Sequence, residues 1–170
     1  MAKDYYHYYV EGYDEKVLIE TLKTDFQFIK PGKIDVFNMM QDKFNKNKLM
    51  RSKSGTHVVL VFDTDKNQTD ILEENIRFLK KQSNVKSVIC ITQVKNLEDE
   101  LIRSCNISQI KDLLRSRSDS EYKHDLIQCK NLKQTLVNHH FNMALFWSRD
   151  PQEPYIRFKN ESQLIIIKNI

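Results

Sequence analysis

His57–Phe62 reads HVVLVF, an unbroken apolar run that stops abruptly at Asp63-Thr64-Asp65. A run of that kind, rich in β-branched residues and bounded by turn-forming acids, marks a strand buried on both faces, the environment that a parallel sheet creates. Val85–Thr92 (VKSVICIT) is a second such strand, Tyr5–Val10 (YYHYYV) an aromatic one and Ile34–Phe37 a short one. Helical signals lie between them. Asp14 stands where it would cap a helix to about Lys23, with Val17, Leu18 and Leu22 on one face. Asp70 and Glu73 form a capping box for a helix that carries Leu72, Ile76 and Leu79 on one side. Pro31-Gly32 is a turn signal. This alternation predicts an α/β fold: a parallel sheet with right-handed crossovers, flanked by helices.

The character changes after Gln93. Asn96 is placed to cap a helix with Leu97, Leu101 and Ile102, and Ile107–Leu114 and His124–His140 read as further helices. Tyr155–Phe158 and Gln163–Lys168, separated by a KNES turn, read as a β-hairpin. The expected organisation is an α/β core over residues 1–95 and a helical and hairpin extension over 96–170, packed on the core because it is too small to stand alone. Only three Gly and three Pro are present, which argues against a loop-rich β-sandwich. No apolar run approaches the roughly 20 residues a bilayer requires, so no membrane partner is expected. Met1–Tyr9 has no apolar signal region, and the expected location is cytoplasmic. Cys90, Cys105 and Cys129 are odd in number and widely spaced, which fits small core thiols better than a disulfide framework or a CxxC metal site.

In an open parallel sheet, ligands bind beyond the carboxyl ends of the strands. Glu11 follows the first strand there, and Asp63 and Asp65 follow the third. Alternation along an extended chain points residues 63 and 65 the same way, so the pair can grip one hard cation, Mg²⁺ or Mn²⁺, from one side. Gly12, with no side chain, leaves room for a phosphate. Acids at strand ends also serve as caps and turn formers, and any one of these alone reads that way; their conjunction points to a metal site. Glu98 and Glu100, after the fourth strand, are lesser candidates for a second metal, since acids in a first helical turn also complement the helix dipole. Asp14 and Glu15 are adequately explained as a cap and a solvated face.

The net charge of +4 is mildly basic and compatible with an anionic partner. Lys43, Lys46, Lys48, Arg51 and Lys53 run without an intervening acid, interleaved with Phe44, Leu49 and Met50. That segment reads equally as a solvated surface or as a phosphate-contacting patch for nucleic acid. His139 and His140 would point about 100° apart on a helix and do not form a ligand pair. Trp147 with Phe141, Phe146 and Tyr155 could stack on bases, but a hydrophobic cluster sealing the tail explains them better. GxxxxGKS, GxGxxG, HExxH and GxSxG patterns are all missing, which leaves NTPase, dehydrogenase, zinc protease and serine hydrolase functions without support.

The stretch YYVEGYDEKVLIETL followed by VVLVFDTD resembles the TOPRIM domain, shared by type IA topoisomerases, bacterial primases, the overcoming-lysogenization-defect (OLD) nucleases and small ribosomal RNA maturases. Glu11-Gly12 matches its first motif and Asp63-Thr64-Asp65 its second, over about residues 5–93, and VEGYDEK is similar to the opening of small stand-alone TOPRIM proteins allied to OLD- and RloB-like defence nucleases. The resemblance implies a Rossmann-like fold and Mg²⁺-dependent (or Mn²⁺-dependent) phosphodiester chemistry on DNA or RNA. Asp63 and Asp65 would hold the metal, Glu11 would act as general acid/base or share ligation, and Gly12 would be a spacer. A topoisomerase would need an assignable tyrosine nucleophile and gate domains, and a primase a zinc module. A nuclease remains, in a phage-defence or mobile-element setting, acting with a protein partner or as a homo-oligomer. The alternative is a catalytically silent TOPRIM-fold adaptor or nucleic-acid-binding module. A receiver-like domain expects an adjacent acidic pair after the first strand, which Glu11-Gly12 does not supply.

Overall fold

In a computed structural model, which describes residues 4–50 and 52–167, four parallel strands form one sheet in the order β2-β1-β3-β4. They are β1 (Tyr5–Val10), β2 (Lys33–Val36), β3 (Thr56–Asp63) and β4 (Val85–Gln93). The apolar runs alternate between two buried faces. Tyr8, Val10, Val59, Val61, Ile89 and Ile91 point into one core, and Tyr9, Val58, Leu60, Phe62 and Cys90 into the other. A strand clothed on both sides has no solvent-facing positions, which is why β3 carries no polar alternation.

The first face is covered by α1 (Tyr13–Glu20), α4 (Leu97–Ser104), α5 (Asp119–Gln128) and α6 (Leu132–Asn138), through residues such as Leu18, Leu101, Leu126 and Leu136. The second is covered by α3 (Asp70–Lys80), the four-residue α2 (Lys46–Leu49) and the segment before it. Buried Asn75 pins that segment: its Oδ1 accepts from Phe44 N at 2.8 Å, and its Nδ2 donates to Met39 O at 2.9 Å and Asp42 O at 2.8 Å. Most of the buried residues after 96 share the first core, where Trp147, Phe146 and Ile165 are buried with Val59 and Ile91, while Tyr155 and Phe158 pack into the second.

Several local expectations are corrected. Gly12, not Asp14, is the N-cap of α1, and Asp14 falls in the first turn. Thr69 caps α3, with its hydroxyl 3.1 Å from Glu73 Oε1. Asn96 caps α4 as expected, accepting from Asp99 N at 3.0 Å. Residues 107–114 contain a single 3₁₀ turn, Ile110–Asp112, and 124–140 divides where Cys129 turns extended and Asn131 caps α6. Among the described residues the tail forms no hairpin, and Lys168 at the end of the expected second strand lies outside them. The tail's regular pieces are 3₁₀ turns at Ile156–Phe158 and Ser162–Leu164: its backbone closes local turns and otherwise pairs with the core. Glu161 N donates to Cys90 O at 2.9 Å, and Cys90 N returns a bond to Glu161 Oε2 at 2.9 Å, closing the open edge of β4. Ile166 bridges Ile29 antiparallel, with Lys30 N on Ile165 O and Ile167 N on Phe28 O. Among the described residues, no helix is long and apolar enough to cross a membrane.

Candidate active site

Strand order decides what meets at the carboxyl edge. β1 and β3 are neighbours with Val10 opposite Val61, so Glu11 and Asp63 emerge side by side. Asp63 N donates to Glu11 Oε1 at 3.1 Å, which anchors the glutamate to the end of β3. β4 lies on the other side of β3 and ends opposite Asp63 at Gln93, whose Nε2 donates to Asp63 Oδ1 at 2.8 Å. Gln93 is held from behind by Trp147, whose Nε1 lies 3.4 Å from Gln93 Oε1. The sole tryptophan therefore supports the site from the core and offers no face to a base; it is 1% exposed.

The start of α1 adds two acids that sequence reasoning set aside. Asp14 and Glu15 are 5% and 4% exposed, so they lie on no solvated face. Asp14 Oδ2 and Glu15 Oε2 are buried without a hydrogen-bond partner. Both side chains fold back over Gly12, where a Cβ would stand 2.5 Å from Asp14 Oδ1 and 2.8 Å from Glu15 Oε2. The absent side chain of Gly12 thus makes room for these carboxylates. Two acids in a first helical turn look like ordinary dipole complements in the sequence; only burial tells them apart.

Burial raises the Glu11 carboxyl, against the favourable bond from Asp63 N. Burial, then the charges of Asp14 and Glu11, push Glu15 up to about 8. Burial, then Glu15 and Glu11, push Asp63 up to about 9, although Gln93 works the other way. Asp14 and Glu11 make Glu15 harder to ionise, and Glu15 and Glu11 do the same to Asp63, the condition that an added cation relieves. Asp65 lies beyond the end of β3 and is exposed; it adds its charge to the field at Glu11 and Asp63 from the rim.

Lys123 of α5 approaches from the far side, 3.5 Å from Asp14 Oδ2 and 3.2 Å from Glu98 Oε1. Its own partial burial opposes its charge, but Asp14 and Glu98 outweigh that and raise its pKa. Glu98 is thus an ion-pair partner of Lys123 at the margin. Glu100 is a structural residue and no metal candidate. It is wholly buried, accepting from Val94 N at 3.0 Å and Trp147 N at 2.9 Å and pairing with Arg103. Tyr155 is 1% exposed, its hydroxyl has no hydrogen-bond partner, and burial followed by the charges of Glu11, Asp65 and Asp63 pushes it up to about 12. It packs with Phe62 on the second face, apart from the first-face cluster of Phe141, Phe146 and Trp147.

The basic segment lies elsewhere. Lys43 pairs with Glu74, Lys48 covers the Phe37 ring at 4.0 Å, Lys46 is exposed on α2, and Lys53 covers Tyr5 at 4.6 Å. Tyr5 and Thr56 begin their strands, so Lys53 sits at the edge of the sheet opposite the carboxylates. Arg51 is outside the described residues.

Among the described residues, no three or more His, Cys, Asp or Glu side chains are grouped so as to hold a metal ion by themselves. Buried Asp14 Oδ2 and Glu15 Oε2 lack hydrogen-bond partners, although Lys123 stands 3.5 Å from the first. Hard carboxylate oxygens of this kind suit Mg²⁺ or Mn²⁺, since Mg²⁺ commonly takes one or two carboxylates and completes its octahedron with water and phosphate. No family model, no curated protein and no solved structure matches the chain.

Proposed function

We propose that the chain is a divalent-metal-dependent nuclease of the TOPRIM type, acting on DNA or RNA. The observation that carries this is the gathering of Glu11 and Asp63, at the carboxyl ends of adjacent parallel strands, with Glu15 of α1: burial raises all three, Glu11 adds to the rise at Glu15 and Asp63, and Glu15 adds to that at Asp63. Clustering like charges where water is excluded is unfavourable to the fold, and such perturbed groups concentrate at functional sites. Mg²⁺ or Mn²⁺ held by Asp63 and Glu15, with Glu11 and Asp65 at the margin, would neutralise charge on a scissile phosphate and acidify a water. Glu11 is anchored through Oε1 by Asp63 N–H, which leaves Oε2 to take or return a proton at the reacting water. Gln93 fixes the rotamer of Asp63, and Lys123 holds Asp14 and Glu98 to one side. All three cysteines are free, in keeping with a cytoplasmic location.

A second reading, a catalytically silent TOPRIM-fold adaptor or binding module, draws on one observation: Lys123 already brings a cation to Asp14 and Glu98. Incubation of the purified chain with labelled DNA and RNA, in Mg²⁺, Mn²⁺ or EDTA, separates the two. Cleavage that needs metal and disappears in Asp63→Asn is the expected result. Cleavage that survives the substitution comes from another protein, and a folded chain that cuts nothing under any metal is the adaptor.

A further inference from the structure

A cavity of about 510 Å³ opens beside the aspartate loop, between the end of β4, the start of α4 and the segment after Trp147. Its volume falls in the range of small-ligand clefts, roughly 300–1,000 Å³. Thr64, between the two aspartates, forms one wall. Its backbone N donates to Gln93 O at 3.1 Å and Lys95 O at 2.9 Å, and its hydroxyl donates to Gln93 O and accepts from Lys95 N, each at 3.1 Å. These bonds lock the cavity wall to the metal-site loop, so the two move as one piece. Asp63 and Asp65 do not line the cavity, but they flank the threonine that does, so a ligand seated there lies next to the aspartate loop in sequence and in space.

The lining divides by chemistry. Val94 and Ile102, both half-buried, give an apolar surface. Arg103 is fixed on buried Glu100 and keeps its Nε buried without a partner, while Lys95, 3.7 Å from Asp99 Oδ2 in an exposed pair, and Arg149 project from the rim. Asp99, Gln152 and Glu153 add acceptors. Cations for a phosphate, an apolar face for a ring and acceptors for its amino edge together match a nucleotide. A base inside a duplex stack offers no free face to such a pocket, so the strand must be unpaired there. We propose that this cavity holds an unpaired nucleotide flanking the scissile phosphate of a single-stranded nucleic acid. The assignment rests on the phosphodiester function proposed above.

The test is anisotropy of a labelled single-stranded oligonucleotide, DNA and RNA in turn, with the full chain in EDTA. Lys95→Glu with Arg149→Glu should weaken binding about a hundredfold, tenfold for each lost charge-assisted contact. Lys46→Glu with Lys53→Glu, the same charge change in the basic segment, should leave it within about twofold. Equal losses from both pairs, undiminished binding by the first pair, or no binding by the unmodified chain overturns the assignment. An abasic strand that binds as tightly as its parent reduces the cavity to a phosphate clamp and overturns the nucleotide. EDTA removes the chemistry, so a loss confined to the Lys95/Arg149 variant upholds the cavity even if the chain cuts nothing. Metal-dependent cleavage with unchanged KM in that variant discards the cavity and keeps the nuclease.

Discussion

Gln93 Nε2 donates to Asp63 Oδ1 across 2.8 Å, joining the last residues of two parallel strands. The bond commits one carboxylate oxygen of a group that also feels the charges of Glu15 and Glu11. Trp147 Nε1 holds the glutamine in turn, so the orientation of the central acid is set from the core. Groups that orient a metal ligand typically contribute 10–100-fold to affinity. Gln93→Leu should therefore weaken Mn²⁺ binding about tenfold by isothermal titration, while near-UV circular dichroism stays native. Unchanged affinity would make the glutamine a packing residue.

The metal-free protein should lose stability as pH rises, the reverse of ordinary carboxylate behaviour. Glu15 and Asp63 are raised to about 8 and about 9 in the folded chain. Their unfolded values lie near 4. Between those limits the folded state binds more protons than the unfolded one, so the unfolding free energy falls with pH. The stability is full below about pH 4 and is lost as pH climbs toward 9. In EDTA, Tm should decline across this window, and Asp63→Asn should flatten the decline and raise Tm at pH 8 by roughly 2–8 °C. Mn²⁺ should restore Tm in the unmodified chain and release protons on binding. A Tm that climbs from pH 5 to pH 8 in EDTA would show the carboxylates ionised without help and remove the electrostatic case for a cation.

The sheet was legible because its signals are local: HVVLVF has the length and composition of a strand buried on both faces and is one, while VKSVICIT is the edge strand β4, buried only from Ile89 onward. The neighbourhood of Glu11 and Asp63, 52 residues apart, followed from one topological rule about strand ends. Asp14 and Glu15 were misread because a buried and a solvated first-turn acid have the same sequence signature. Glu100 was misread for the same reason, since its partners Val94 N and Trp147 N belong to distant backbone that no periodicity reports. The tail was misread as a hairpin because its apolar residues dock singly, Tyr155 on one face of the sheet and Ile165 on the other.

Tyr155→Phe separates packing from function. A buried hydroxyl without a partner does nothing for the fold, and its removal is neutral or mildly stabilising. The ring keeps its contacts with Phe62 and Phe158. The hydroxyl is closed off from solvent, so metal-dependent cleavage should keep its kcat and KM, with Tm equal or higher. A fall in kcat at unchanged Tm would place the hydroxyl at the substrate and overturn its assignment to the core.

Glu100 and Glu15 are both buried acids in the first turn of a helix, and substitution should split them cleanly. Both oxygens of Glu100 are engaged, one by Val94 N and the other by Trp147 N and Arg103. In Glu100→Gln the amide nitrogen must face a donor, and the guanidinium loses its charge partner inside the protein. Breaking such a network is expected to destabilise by about 3–5 kcal/mol. Glu15 Oε2 has no partner and sits among like charges, so Glu15→Gln removes repulsion and should stabilise the metal-free chain. Metal affinity should follow the opposite order, unchanged in Glu100→Gln where the chain still folds and at least tenfold weaker in Glu15→Gln. Thermal melts and Mn²⁺ titrations on the two variants check this. The reverse pattern, a stable Glu100→Gln that no longer binds metal, would move the ion to the start of α4 and away from the ends of β1 and β3.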